Sequence, residues 1–272
     1  MKKFAGVFSA VVCSALFAGL AQAQLPDPAQ LSSQWLPKPP PPVVAPKPAF
    51  DPAIQAQLDV KVAEVLARHG GVAAVSIDDG RHTYFAGNVG GGPAMSTIKV
   101  PIAIAAERNG TANPDDVAAA LTWSDNAATD RLYAGLGPEA DAKIRGVISP
   151  APAINAGSWW ANNQWGVVEQ AQFARRLDCV DPDRSITHHM GNVVPEQRYG
   201  LGRVPGMLFK GGWSPMDDGK MYVRQLGVLH TDQGAMGVAI AAQAGDGSYA
   251  AAQAMLNELA DALPRLGSPL HC

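Results

Sequence analysis

The chain has 272 residues, 47% of them apolar and 17% charged, with a formal net charge of −3. That much apolar surface with so little charge can bury a core, which excludes a disordered chain. With 21 basic against 24 acidic residues and no Lys/Arg cluster, the sequence carries no basic footprint for nucleic acid.

Lys2 and Lys3 precede an apolar stretch from Phe4 to Leu20, and Ala21-Gln22-Ala23 supplies a small-x-small exit. Residues 1–23 are therefore expected to be a cleaved signal peptide rather than a membrane anchor. Cys13 lies inside the apolar run behind Val12, which disfavours lipid attachment. No other stretch is long and apolar enough to span a membrane. Removing the leader leaves 19 basic and 24 acidic residues, a charge of −5, and two cysteines, Cys179 and Cys272. Export places these in an oxidising compartment, so a Cys179–Cys272 disulfide is expected, with two free thiols as the alternative. Residues 24–52 hold ten of the 22 prolines. Proline fixes φ and removes donors, so this segment reads as an extended spacer holding a domain away from the membrane or within the cell wall. A ligand for a proline-binding module is the alternative.

The folded domain is expected over 53–272. Residues 53–68 carry apolar residues at helical spacing and end at His69-Gly70-Gly71. Val72–Ile77 and His82–Ala86 read as a hairpin around Asp78-Asp79-Gly80. Gly90–Pro93 reads as a loop and Met95–Arg108 as one mostly buried helix. Asp115–Leu121, Ala127–Leu136 and Val167–Leu177 are helix candidates, with a loop from Pro150 to Trp165. Met207–Phe209, Met221–His230 and Ala235–Gln243 read as strands, and 248–263 as a final amphipathic helix. This order predicts an α+β fold: a sheet flanked by the first and last helices, with an all-helical subdomain inserted.

The chain has no G-x-S-x-G elbow, no H-E-x-x-H and no Gly-rich phosphate loop with its lysine. His188 and His189 are adjacent, and neighbouring side chains in regular structure diverge, so no metal site is expected there. The chain does contain Ser96-Thr97-Ile98-Lys99, opening a helical stretch. Three-residue spacing puts Ser96 and Lys99 on one face. A serine hydroxyl needs a base to become a nucleophile, and a lysine in an apolar setting can be that base. Ser124-Asp125-Asn126 follows, and Lys210-Gly211-Gly212 lies at the end of a predicted strand.

With these three motifs in this order, residues 53–265 resemble the serine β-lactamase and penicillin-binding superfamily, closest to the class A β-lactamases. The resemblance implies a β-lactamase/transpeptidase-like fold built on an antiparallel sheet. It implies Ser96 as the acylated nucleophile, Lys99 as its proton acceptor and Ser124 as a proton relay to the leaving nitrogen. Asn126 would bind the substrate amide and position Lys99, and Asp125 would buttress its loop. Lys210 would supply positive potential, and the N–H groups of Ser96 and Trp213 would form the oxyanion hole. No cofactor or metal is implied. The implied partner is a small β-lactam or acyl-peptide substrate, with cell-wall fragments as a further possibility. The leader points to a secreted, periplasmic or wall-associated protein, and the apolar content of the domain to a monomer.

Two departures stand out. Gly211 and Gly212 follow Lys210 where the family has a hydroxyl residue and then glycine. The family's Glu-x-x-Leu-Asn, whose glutamate activates the deacylating water, has no counterpart in Ser158-Trp159-Trp160-Ala161-Asn162-Asn163-Gln164-Trp165. Glu169 is the nearest acid, and it reads more readily as the solvated start of a helix than as a deacylation base. Trp159, Trp160 and Trp165 either line the cleft or pack a shortened subdomain, packing being favoured. Three functions follow: a β-lactamase-type hydrolase with slow deacylation, a D,D-peptidase or esterase-like relative, and a noncatalytic binder of wall fragments.

Overall fold

Asp51 starts the first helix, α1 (Pro52–His69). Its carboxylate accepts from the Ala53 N–H at 2.9 Å, and Pro52 occupies the first turn, where a missing N–H costs nothing. Gly70, at φ 64°, ends the helix by donating to Leu66 O. The computed structural model describes residues 51–149, 160–269 and 272. The expected leader, nearly all of the proline-rich segment and Trp159 lie outside the described residues.

The chain continues through β1 (Val72–Asp78), β2 (Thr83–Gly87) and a short β3 (Gly91–Pro93). The helical section holds α2 (Lys99–Arg108), α3 (Pro114–Ala118), α4 (Asn126–Gly135) and α5 (Ala140–Ile148). Next come β4 (Gln164–Gly166), α6 (Val167–Arg175) and a one-turn α7 (Leu177–Val180). Strands β5 (Met207–Pro215), β6 (Met221–Thr231) and β7 (Gly234–Gln243) precede α8 (Tyr249–Asp261).

Five strands form one antiparallel sheet in the order β2-β1-β7-β6-β5. Its central strands are buried on both faces, which is why they are almost continuously apolar. On one face Val75, Ile77, Val238 and Ile240 pack with Leu58 and Val62 of α1 and Met255 and Leu259 of α8. On the other, Ala74, Ala239 and Ala241 meet Val167 and Ala171 of α6. Small residues are needed there. A Cβ on Gly237 would stand 2.0 Å from Ala171 O, so the helix lies directly on the strand. A third cluster, including Ile98, Ile102, Leu121, Leu132 and Ile144, fills the helical subdomain. The expected α+β architecture, an antiparallel sheet flanked by the terminal helices with a helical insertion, is the one observed, both terminal helices lying on the same face of the sheet. Cys179 in α7 is disulfide-bonded to Cys272. No helix among the described residues is long and apolar enough to cross a membrane.

Several local expectations need correction. Met95–Arg108 is not one helix: Met95–Ile98 is a 3-10 turn, and the α-helix starts at Lys99. Gly91–Pro93 is not loop but a strand paired with β4, with Gly92 opposite Trp165. Strand β5 does not stop at Phe209; β6 pairs it through Lys210, Gly211 and Gly212 to Pro215. The helix predicted to Leu121 becomes a wide π-type turn over Ala119–Trp123, closed by Ser124 in the left-handed region at φ 61°, ψ 35°. The His188 and His189 rings do not diverge. They sit in a 3-10 turn (Thr187–Gly191) with centroids 3.8 Å apart. Among the described residues no group of three His, Cys, Asp or Glu is placed to hold a metal.

Candidate active site

The 3-10 turn governs the first motif. In a 3-10 helix the side chains at i and i+3 eclipse, so the spacing of Ser96 and Lys99 is one full turn. The Lys99 N–H closes that turn on Ser96 O. The turn is clamped from several directions. Ala94 N–H donates to Asn163 O at 2.7 Å, and buried Gln170 donates to Thr97 Oγ1 at 2.8 Å. Met95, just before Ser96, is held at φ 50°, a left-handed conformation that costs an ordinary residue about 1–2 kcal/mol. Strain kept beside a serine at a cleft marks a site whose geometry the surrounding packing fixes.

Lys99 is fully buried and reaches back under the cleft. Its Nζ donates to Ser124 O at 2.6 Å and to Asn126 Oδ1 at 2.7 Å, and lies 3.4 Å from Ser124 Oγ. Lys210, on β5, comes from the other side: its Nζ lies 2.9 Å from Ser124 Oγ and donates to Gly211 O at 2.9 Å. The left-handed turn at Ser124 is what lets one residue present both its carbonyl and its hydroxyl to the two amines. Asp125 caps α4 by accepting from Ala128 N–H at 2.7 Å, which fixes Asn126 as the first helical residue. Hydrogen bonds thus bring Lys99, Ser124, Asn126 and Lys210 together, and Ser96, one turn before Lys99, lines the same cleft as Asn126.

Burial sets the electrostatics. Desolvation pulls the Lys99 ammonium down to about 7, against the opposing pull of Asp125 and Asp130. Lys210 is held well below the usual lysine value by burial and then by Lys99. Lys99 is therefore a competent proton acceptor near neutral pH. The permanent positive charge expected of Lys210 is weakened by the same burial, so an incoming carboxylate would favour its protonation.

Strand β5 forms one wall. A Cβ on Gly212 would lie 2.7 Å from the Ser96 nitrogen and 2.9 Å from Met95 Cβ. Only glycine allows β5 to press against the turn there. Gly211 is different: a Cβ would meet only Gln225 and the Arg224 carbonyl, at 3.7 Å or more. The missing hydroxyl is not enforced by packing. Ser96, Asn126, Gly92, Asn162, Gln164 and Trp213 are among the residues lining a cleft of about 660 Å³.

Two buried side chains beside the site, Trp160 and Arg224, are what sequence reasoning missed. Trp160 is buried, as packing predicts, but its ring centroid is 5.2 Å from Lys99 Nζ and its indole N–H donates to Asp130 at 2.7 Å. Trp165 is buried against Phe173, with centroids 5.4 Å apart. Glu169 is half-buried in the first turn of α6 and is not among the cleft-lining residues. Arg224, opposite Gly212 in the sheet, is fully buried. It donates to Gly92 O, Pro93 O, Trp165 O and Gln170 Oε1, tying the β3–β4 pair to the sheet. No sequence motif marks Trp160 or Arg224, because their partners lie 30 to 132 residues away along the chain.

No family model and no curated protein matches this chain. Solved structures do. A β-lactamase from Xanthomonas campestris is similar with a TM-score of 0.61 at 16% identity, covering 77% of this chain and 97% of its own. One from Chitinophaga pinensis gives 0.62 at 16%, over 75% and 97%. One from Burkholderia vietnamiensis gives 0.60 at 18%, over 75% and 94%. An ancestral class A β-lactamase gives 0.60 at 16%, over 75% and 98%. At such identities the likeness shows the fold, which is that of the class A β-lactamases.

Proposed function

We propose that this chain is an exported serine hydrolase of β-lactamase type that forms an acyl-enzyme on Ser96 with β-lactams or related acyl substrates. The observation that carries the reading is the row of amines and hydroxyl behind the cleft: Lys99 and Lys210 both converge on Ser124. In this reading Lys99 Nζ takes the Ser96 hydroxyl proton as Oγ attacks the substrate carbonyl carbon. The carbonyl electron pair moves to oxygen, where the N–H groups of Ser96 and Trp213 hold it. The pair returns as the C–N bond breaks, and Ser124 passes a proton drawn from Lys99 to the departing nitrogen. Asn126 binds the substrate amide while fixing Lys99. Lys210, with backbone of Gly211 and Gly212, faces the substrate carboxylate.

Water then has to cleave the Ser96 ester. The segment Trp160–Gln164 holds no acid, Glu169 does not line the cleft, and the acid that does, Asp217, follows β5 rather than standing where the family's glutamate would be. In this reading deacylation is slow. The same observation favours a second reading, a D,D-peptidase or esterase-like enzyme that has no need of fast β-lactam hydrolysis. Export rests on the leader sequence, and the disulfide supports it. A reporter penicillin separates the readings. Covalent labelling followed by turnover supports the β-lactamase, and labelling without turnover the peptidase. No adduct with any acyl donor leaves a noncatalytic binder of wall fragments.

A further inference from the structure

The catalytic base of the proposed reaction must carry a positive charge for the life of the tetrahedral intermediate, in a place where burial opposes that charge. The groups facing Lys99 are few: Ser124 and Asn126 as hydrogen-bond acceptors, Asp125 and Asp130 as negative charges, Lys210 as a competing cation, and Trp160. Neither aspartate makes a direct bond to Lys99. Asp125 is spent on the cap of α4, and Asp130 accepts the indole N–H of Trp160.

We propose that Trp160 is a positioning residue for this reaction, its indole face stabilising the Lys99 ammonium that forms when Lys99 takes the Ser96 proton. The ring centroid lies 5.2 Å from Nζ, inside the roughly 6 Å over which a cation is attracted to an aromatic face, and tryptophan has the strongest face. Asp130 completes the device. By accepting the indole N–H it fixes the ring's orientation and pushes electron density toward the face that Lys99 meets. A negative carboxylate is thereby coupled to the base through a ring that also excludes water. The contact acts on one protonation state only. It favours the charged amine and leaves the neutral amine nearly unaffected, so it strengthens the base without occupying the nucleophile.

The inference rests on the acyl-transfer reading for its purpose, but not for its test. The Lys99 pKa is followed directly by NMR of the lysine ε-CH2 groups in the full mature chain, with Lys99→Met identifying the signal. Trp160→Leu is expected to lower that pKa by about half a unit to one unit, and Trp160→Phe by less, since a phenyl face remains. Asp130→Asn, which creates no cavity, is expected to shift it the same way. In acylation by a reporter penicillin, the acid limb of the pH–rate profile should move down by the same amounts, with a lower plateau. An unmoved Lys99 pKa in folded Trp160→Leu would overturn the proposal and leave Trp160 as packing, and so would an Asp130→Asn shift of the same size with and without Trp160→Leu, because the Asp130 charge also acts on Lys99 directly. If the wild-type chain is not acylated at all, the functional reading fails, while the NMR titration still decides the coupling between ring and amine.

Discussion

At the residue scale, burial sets the protonation of the two lysines. A lysine in water is protonated at neutral pH and cannot accept a proton; Lys99, desolvated, titrates near 7. Acylation should therefore rise with pH through a midpoint near 7, because the neutral amine is the active form. Stopped-flow labelling between pH 5 and 9 measures this, and a flat profile would remove Lys99 from the role of base. The two glycines after Lys210 make opposite predictions. Gly212→Ala drives a Cβ into the Ser96 backbone and should cut acylation by about 100-fold or more, the cost of losing oxyanion geometry. Gly211→Ser finds room and should fold normally. One added hydrogen bond to a substrate carboxylate, about 1 kcal/mol, should tighten penicillin binding about fivefold. Acylation rates of Gly212→Ala and competition binding to Gly211→Ser read the two outcomes. The motif residues were legible because their spacing maps onto single turns and strands. Trp160 was not: nothing at residues 159–165 signals that one ring faces a lysine 61 positions earlier.

At the element scale, Arg224 shows why part of the cleft escaped the sequence. Gly91-Gly92-Pro93 and Gln164-Trp165-Gly166 have weak strand propensity, so the first read as a loop and the second as the end of one. They pair because Arg224 collects the carbonyls of Gly92, Pro93 and Trp165. The larger elements were easier. The β1–β2 hairpin, β6, β7, α1 and α8 announce themselves by apolar periodicity and by Gly or Asp punctuation, and each ends within a residue or two of its expected bounds. The 3-10 turn at Ser96 was hidden by its continuity with α2, since both have the same apolar composition. Arg224→Met should strand several buried acceptors and destabilise the protein by about 2–4 kcal/mol. Arg224→Lys should not restore it, because an ammonium lacks the planar fork of donors. Chemical denaturation tests both, and a fully stable lysine variant would contradict the bridging role.

At the scale of the whole molecule, the site is a load that the fold carries. Unfolded lysine holds its proton up to 10.5, whereas folded Lys99 releases it near 7 and Lys210 well below 10.5. Between those values unfolding takes up protons, so stability should rise with pH. The rise should end as pH reaches the ordinary tyrosine value of 10.0, because Tyr84, Tyr199 and Tyr222 resist ionisation when folded and favour the unfolded chain above it. Melting temperatures from pH 7 to 10 report the trend, and a steady fall over that range would contradict it. The C-terminus offsets part of this load. The disulfide closes a separation of 93 residues, while Ser268 bonds Arg175 and Asp79 O. Replacing both Cys179 and Cys272 by serine should cost up to about 4–5 kcal/mol by the chain-entropy argument, measured by denaturant unfolding. Trp160 lies in the stretch where the resemblance implies an acid, and in the proposed function this favours acylation over release.

That balance can be measured directly. Intact-mass analysis of the mature chain after brief incubation with a penicillin should show one covalent adduct, mapped by peptide digestion to Ser96, persisting over many minutes and absent from Ser96→Ala. An adduct that survives in the alanine variant, or no adduct on a correctly folded wild-type chain with any acyl donor, would contradict the account.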